Sequence, residues 1–143
     1  MYLDRALTDT VTGRGSRRLL VTMPPRHGKS MLCSLYLPAW FIGTWPEKRV
    51  ILASYGSGYA SEWGRKTRTL LEEHGPAYFG VKIWDRSHAA DRWEIEGRSG
   101  GMVTAGVDAG VTGRGANLLI VDDPVKDSKE ANSEVIREST WEW

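Results

Sequence analysis

Apolar positions along the chain fall into short, dense runs separated by polar turns. Leu19-Leu20-Val21 lies in a run over 18–23, Val50-Ile51-Leu52-Ala53 in one over 49–54, and Leu118-Leu119-Ile120-Val121 just before Asp122. Such runs predict strands buried on both faces of a parallel sheet. After Ser30 nearly every position up to 41 is apolar or small, including Met31, Leu32, Leu35, Leu37, Ala39, Trp40 and Phe41, which predicts a helix buried almost all round. Pro38 removes one of its internal hydrogen bonds and should bend it, while Gly43 and Pro46 mark its end. A second helix is predicted over 57–73, capped by Ser57, with Ala60, Trp63, Thr67, Leu70 and Leu71 on one face and Glu62, Arg65, Lys66, Arg68, Glu72 and Glu73 on another. Residues 75–91 read as irregular, anchored by Tyr78, Phe79, Val81 and Ile83. Arg92-Trp93-Glu94-Ile95-Glu96 then alternates with period two, and Met102-Val103-Thr104-Ala105 follows across a glycine-rich turn, the pattern of a β-hairpin. Residues 1–16 read as a short helix and a loop, and a last helix is expected to begin near Asp127.

Composition narrows this picture. A chain of 143 residues is one domain's length, and a net charge of +1 with both signs throughout singles out no partner. Arg14, Arg17 and Arg18, and the basic members of the second helix, read as solvated in preference to phosphate contacts. The single Cys33 excludes an internal disulfide, and His27, His74 and His88 lack metal-ligand spacing, so a reducing, cytoplasmic setting fits. No apolar stretch approaches the ~20 residues that cross a bilayer, so a soluble protein without a membrane partner is expected. Seven tryptophans are many for this length and must be buried, at an interface or exposed.

The candidate chemistry lies at the ends of two of the predicted strands. Met23-Pro24-Pro25-Arg26-His27-Gly28-Lys29-Ser30 follows an apolar run and opens onto a helix. A phosphate-binding loop needs backbone N–H groups around the β-phosphate, a lysine for the β/γ oxygens and a hydroxyl on the metal, ahead of a helix N-terminus. Pro25, Arg26, His27, Gly28, Lys29 and Ser30 occupy those places, although Met23 stands where the pattern has its first glycine. His27 reads as structural. Downstream, Leu118-Leu119-Ile120-Val121-Asp122-Asp123-Pro124 has the shape of a strand that delivers one carboxylate to a magnesium shell and the next to an attacking water. The same residues also suit an ordinary strand-to-turn transition. Ser54 and Tyr55, at the end of the 49–54 run, read as the start of a turn.

The loop at 23–30, then Pro38-Ala39-Trp40, Ala53-Ser54-Tyr55, Thr112-Gly113-Arg114-Gly115-Ala116, Ile120-Val121-Asp122-Asp123-Pro124 and Trp141-Glu142-Trp143 together resemble the ATPase domain of a tailed-phage large terminase subunit. The resemblance implies an α/β P-loop NTPase fold of the extra-catalytic-acid type over 1–143, a mainly parallel sheet flanked by helices and incomplete at its C-terminal end. It implies ATP and Mg2+ as cofactors, with Lys29 on the β/γ-phosphates, Ser30 and Asp122 on the metal and Asp123 as the catalytic carboxylate. Many relatives have Glu at that last place, and Asp is one methylene shorter. Arg114 resembles an arginine presented to a neighbouring subunit's nucleotide, and Arg26 a second charge on the γ-phosphate.

The implied partners are double-stranded DNA, a portal protein, a small terminase subunit and further copies of the chain in a ring, in the host cell cytoplasm. A complete large terminase continues with a coupling strand, a linker and a nuclease domain, so the chain is expected to be a fragment. The alternatives are a truncated, non-catalytic nucleotide-binding or assembly module, and another P-loop DNA-dependent ATPase such as a helicase.

Overall fold

The computed structural model describes residues 2–107, 109 and 115–142. Helix α1 spans Tyr2–Thr12. A π-helical segment, π1, covers Met31–Tyr36 and runs directly into α2, Leu37–Thr44. Strand β1 is Arg49–Ser54 and α3 is Ser57–Tyr78. Strands β2 (Ile83–His88), β3 (Arg92–Ile95), β4 (Gly101–Gly106) and β5 (Leu118–Val121) follow, then α4 (Ser128–Ala131) and α5 (Glu134–Glu142).

The five strands form one sheet in the order β2-β3-β4-β1-β5. Strand β1 is parallel to both β4 and β5, whereas β2 with β3 and β3 with β4 are antiparallel. The expectation of a mainly parallel sheet therefore gives way to a mixed one, because the hairpin of β3 and β4 attaches an antiparallel half. The hairpin itself and the strands at β1 and β5 fall where the apolar runs put them. Val50 and Leu52 of β1, Met102 of β4 and Ile120 of β5 join Phe41, Ile42, Trp63 and Leu71 in the core under α2 and α3.

The strand expected over 18–23 does not form; the segment has no ladder partner among the described residues. Leu20 is 88% exposed, and a cleft of about 420 Å³ separates Arg17, Arg18, Leu19, Leu20 and Val21 from β5. An apolar run records what a strand would bury, but pairing requires a neighbour close enough to offset the ordering of the backbone. Two prolines after Met23 favour extended backbone without supplying donors.

Two further expectations are corrected. The second helix continues through Gly75 and Pro76 to Tyr78, beyond the predicted end at 73. Its first turn is capped by Gly56 with no side-chain hydrogen bond, so Ser57 does not act as the cap. Residues 83–88, read as irregular, form edge strand β2 by pairing with β3. Val81 and Ile83 are buried anchors, while Tyr78 is exposed. The expected terminal helix is split in two, with the Asp127 carboxylate capping α4 through the backbone N–H groups of Lys129 and Glu130, both at 2.9 Å. Among the tryptophans, Trp93 and Trp63 are buried, Trp40 and Trp45 pack edge to face, and Trp141 is exposed.

The helix over 29–44 is less uniformly buried than its composition suggests, since Met31 and Tyr36 face outward. Its π register, marked by the Leu37 N–H bonding to the Leu32 carbonyl, abuts Pro38. Pro38 has no N–H to offer the carbonyl of Ser34 four residues back. That carbonyl accepts a hydrogen bond from Thr67 Oγ1 of α3 at 3.3 Å, inside the core.

Candidate active site

Asp122 and Asp123 leave the C-terminal end of β5 beside the end of β1. The Asp122 N–H bonds to the Ala53 carbonyl at 2.9 Å, and the Asp123 carbonyl accepts from the Tyr55 N–H at 3.1 Å and from Ser54 Oγ at 3.4 Å. These bonds hold Asp123 in left-handed backbone, with φ of 48°. Aspartate tolerates that region better than most residues. Ser54 and Tyr55 thus start a turn, as read, and they also grip the second aspartate.

The loop at 25–28 enters the π-helical end with two left-handed residues, Arg26 at φ 63° and Gly28 at φ 82°. Glycine suits the second because it carries no Cβ. The Gly28 carbonyl accepts from the Leu32 N–H at 3.0 Å, and Lys29 and Ser30 lie on the first turn of the helix. Pro25, Arg26 and His27 are exposed, and His27 Nδ1 is 2.8 Å from the Pro25 carbonyl, a contact within the loop itself.

Lys29 Nζ lies 3.1 Å from Asp122 Oδ1 and hydrogen-bonds Asp123 Oδ1. Asp122 is only 3% exposed and Asp123 51%, so the lysine bridges a buried carboxylate and one at the surface. Partial burial alone would lower the Lys29 pKa, but hydrogen bonds to Asp123 and Asp122 and the charges of both outweigh it and raise the ammonium above its ordinary value. Burial first, and then the Asp122 charge, raise the neighbouring Cys33 thiol against an opposing pull from Lys29.

The other Asp122 oxygen, Oδ2, accepts from Ser34 Oγ at 2.8 Å. Sequence reading offered Ser30 as the hydroxyl of this site and missed Ser34, four residues further along the same helix. Its signal was a hydroxyl set in the apolar stretch Met31-Leu32-Cys33-Ser34-Leu35. Ser30 is partly buried and makes no capping hydrogen bond. Arg114 lies outside the described residues.

The donor set bears on which cation suits the site. Among the described residues no three His, Cys, Asp or Glu side chains cluster as a complete metal cage. Two adjacent carboxylates and a nearby hydroxyl, all hard oxygens, fit a magnesium ion that completes its shell with water and substrate phosphates. Asp122 Oδ1 and the half-exposed Asp123 carboxylate already attract one cation, the Lys29 ammonium.

Among the described residues no helix is long and apolar enough to cross a membrane. No curated protein and no solved structure matches the chain. Residues 20–143 match the family described as terminase large subunit, T4likevirus-type, N-terminal. That match spans the loop at 23–30, both aspartates and every strand of the sheet. The chain belongs to this family of terminase large subunit N-terminal domains, whose role is in phage DNA packaging.

Proposed function

We propose that the chain is the ATPase part of a large terminase subunit, a P-loop domain that hydrolyses ATP to drive duplex DNA into a capsid. The observation that carries this reading is the meeting of Lys29 with Asp122 and Asp123 at one end of the sheet. Large terminase subunits are ATPases as a class, and the family match supports the assignment.

In this reading the loop of Pro25, Arg26, His27 and Gly28 wraps the phosphates, and Lys29 neutralises charge on the β/γ oxygens. Ser30 and Asp122 would hold magnesium, which would supply positive charge against the phosphates. Lys29 now shares a hydrogen bond with Asp123. Turning Lys29 toward a triphosphate releases that carboxylate to orient a water for in-line attack. Arg26 adds a second positive charge in the loop, and Arg114 serves a neighbouring subunit's nucleotide. The partners are double-stranded DNA, the portal, the small terminase subunit and further copies in a ring, in the host cytoplasm.

Steady-state ATPase of the packaging assembly, with and without DNA, tests the proposal. Lys29→Ala is expected to abolish turnover. Retained hydrolysis in that variant would overturn the lysine's role, and nucleotide binding by the wild type without any hydrolysis would favour an assembly module.

A further inference from the structure

We infer that Ser34 is a positioning residue for Asp122, fixing one carboxylate oxygen so that the other is presented to the divalent cation of the proposed nucleotide site, a reading on which this inference rests. Ser34 is fully buried and Asp122 nearly so. The two oxygens of Asp122 have separate partners: Oδ2 accepts from Ser34 Oγ at 2.8 Å, and Oδ1 faces Lys29 Nζ at 3.1 Å. A carboxylate held at one oxygen by a buried donor cannot rotate to exchange its two oxygens without leaving that donor unpaired. Ser34 therefore determines which atom of Asp122 looks outward.

Ser34 is itself held in place. Its carbonyl, which Pro38 cannot serve, accepts from Thr67 Oγ1 at 3.3 Å, and Thr67 is also fully buried. Ser34 lies in the π-helical segment on the side that meets Asp122 at the end of β5. A chain of buried contacts thus runs from α3 through the helix to the carboxylate. Such outer partners orient a metal-binding carboxylate without touching the metal, and their loss typically weakens metal affinity about 10- to 100-fold.

The test uses the full chain with Mn2+ and the non-hydrolysable nucleotide AMP-PNP. Two quantities are read: AMP-PNP affinity in EDTA, and the Mn2+ concentration that half-saturates the nucleotide-loaded protein, followed by electron paramagnetic resonance. Ser34→Ala is expected to leave the first within about twofold and to weaken the second about tenfold or more. Ser34→Cys, close in volume but a poor donor, is expected to shift Mn2+ in the same direction and decides the matter if the alanine variant fails to fold. Unchanged Mn2+ affinity in the folded variants would overturn the inference while leaving the nucleotide site standing. So would an equal loss of metal-free nucleotide affinity, which marks a merely structural role. Failure of the wild type to bind Mn2+ with AMP-PNP would remove the nucleotide site and the inference together.

Discussion

The Lys29 ammonium stands 3.1 Å from a carboxylate, that of Asp122, which is almost wholly enclosed by the protein. Removing the cation strands a charge in the interior, and the lysine's own 25% exposure moderates the cost. Lys29→Met is expected to destabilise the fold by about 2 kcal/mol at neutral pH, measured by urea denaturation. The folded pKa of Lys29 is raised, so its contribution is complete below the unfolded lysine value, near about 10.4, and is lost as pH rises through the higher folded value. The stability gap between wild type and variant should therefore hold up to about pH 10 and narrow only as pH rises beyond the unfolded lysine value. A constant gap would show that Lys29 stabilises by packing alone.

Thr67 Oγ1 donates to the Ser34 carbonyl, which lies four residues before Pro38. Thr67→Val removes the hydroxyl with little change in shape and takes a buried hydrogen bond from that carbonyl, at an expected cost of about 1 kcal/mol. In a Pro38→Ala background position 38 regains an N–H, and the same Thr67→Val change should cost less. A double-mutant cycle on thermal unfolding measures the difference, and strict additivity would refute the link between the two positions.

Gly64 lies in the middle of α3, where alanine would ordinarily favour the helix by about 1 kcal/mol. A Cβ built there meets the Ala90 carbonyl oxygen and Thr104 Cγ2, each at 2.7 Å. Backbone on one side and a strand on the other leave little room to yield. Gly64→Ala is expected to destabilise by about 1–3 kcal/mol through overpacking. Gly58→Ala, in the first turn of the same helix with nothing within 4 Å, is the control and should be neutral or slightly stabilising. A stabilised Gly64→Ala would mean that α3 does not approach β4 this closely.

Local sequence signals carried much of this fold. Strands β1 and β5 and the hairpin were legible because runs and alternation report directly on which faces are buried. Lys29, Asp122 and Asp123 were legible as a set because the types and order of residues matched one chemistry, and the structure brings the three together. Pairing was harder to read. The run at 18–23 has strand composition but no ladder partner among the described residues, and polar β2 is a strand through its partner β3. Gly75 and Pro76 looked like a stop, yet α3 continues to Tyr78. Ser34 and Thr67 were missed as a working pair because their partners, Asp122 and the Ser34 carbonyl, are brought near only by tertiary packing.

Among the described residues strand β5 pairs with β1 along one edge only, and Leu119 is 57% exposed and Val121 47%. An open strand edge with apolar side chains is a template for pairing with another chain. Leu119 alternates with inward-facing Ile120 and lies opposite Ile51 in register, so a charge there reaches solvent without entering the helix-covered core. Leu119→Lys is therefore expected to cut self-association severalfold at concentrations of about 50 µM while leaving the unfolding midpoint nearly unchanged, since exposed substitutions cost little. Sedimentation velocity and thermal unfolding read the two quantities separately. Wild type and variant sedimenting alike as monomers would show that the β5 edge is already protected.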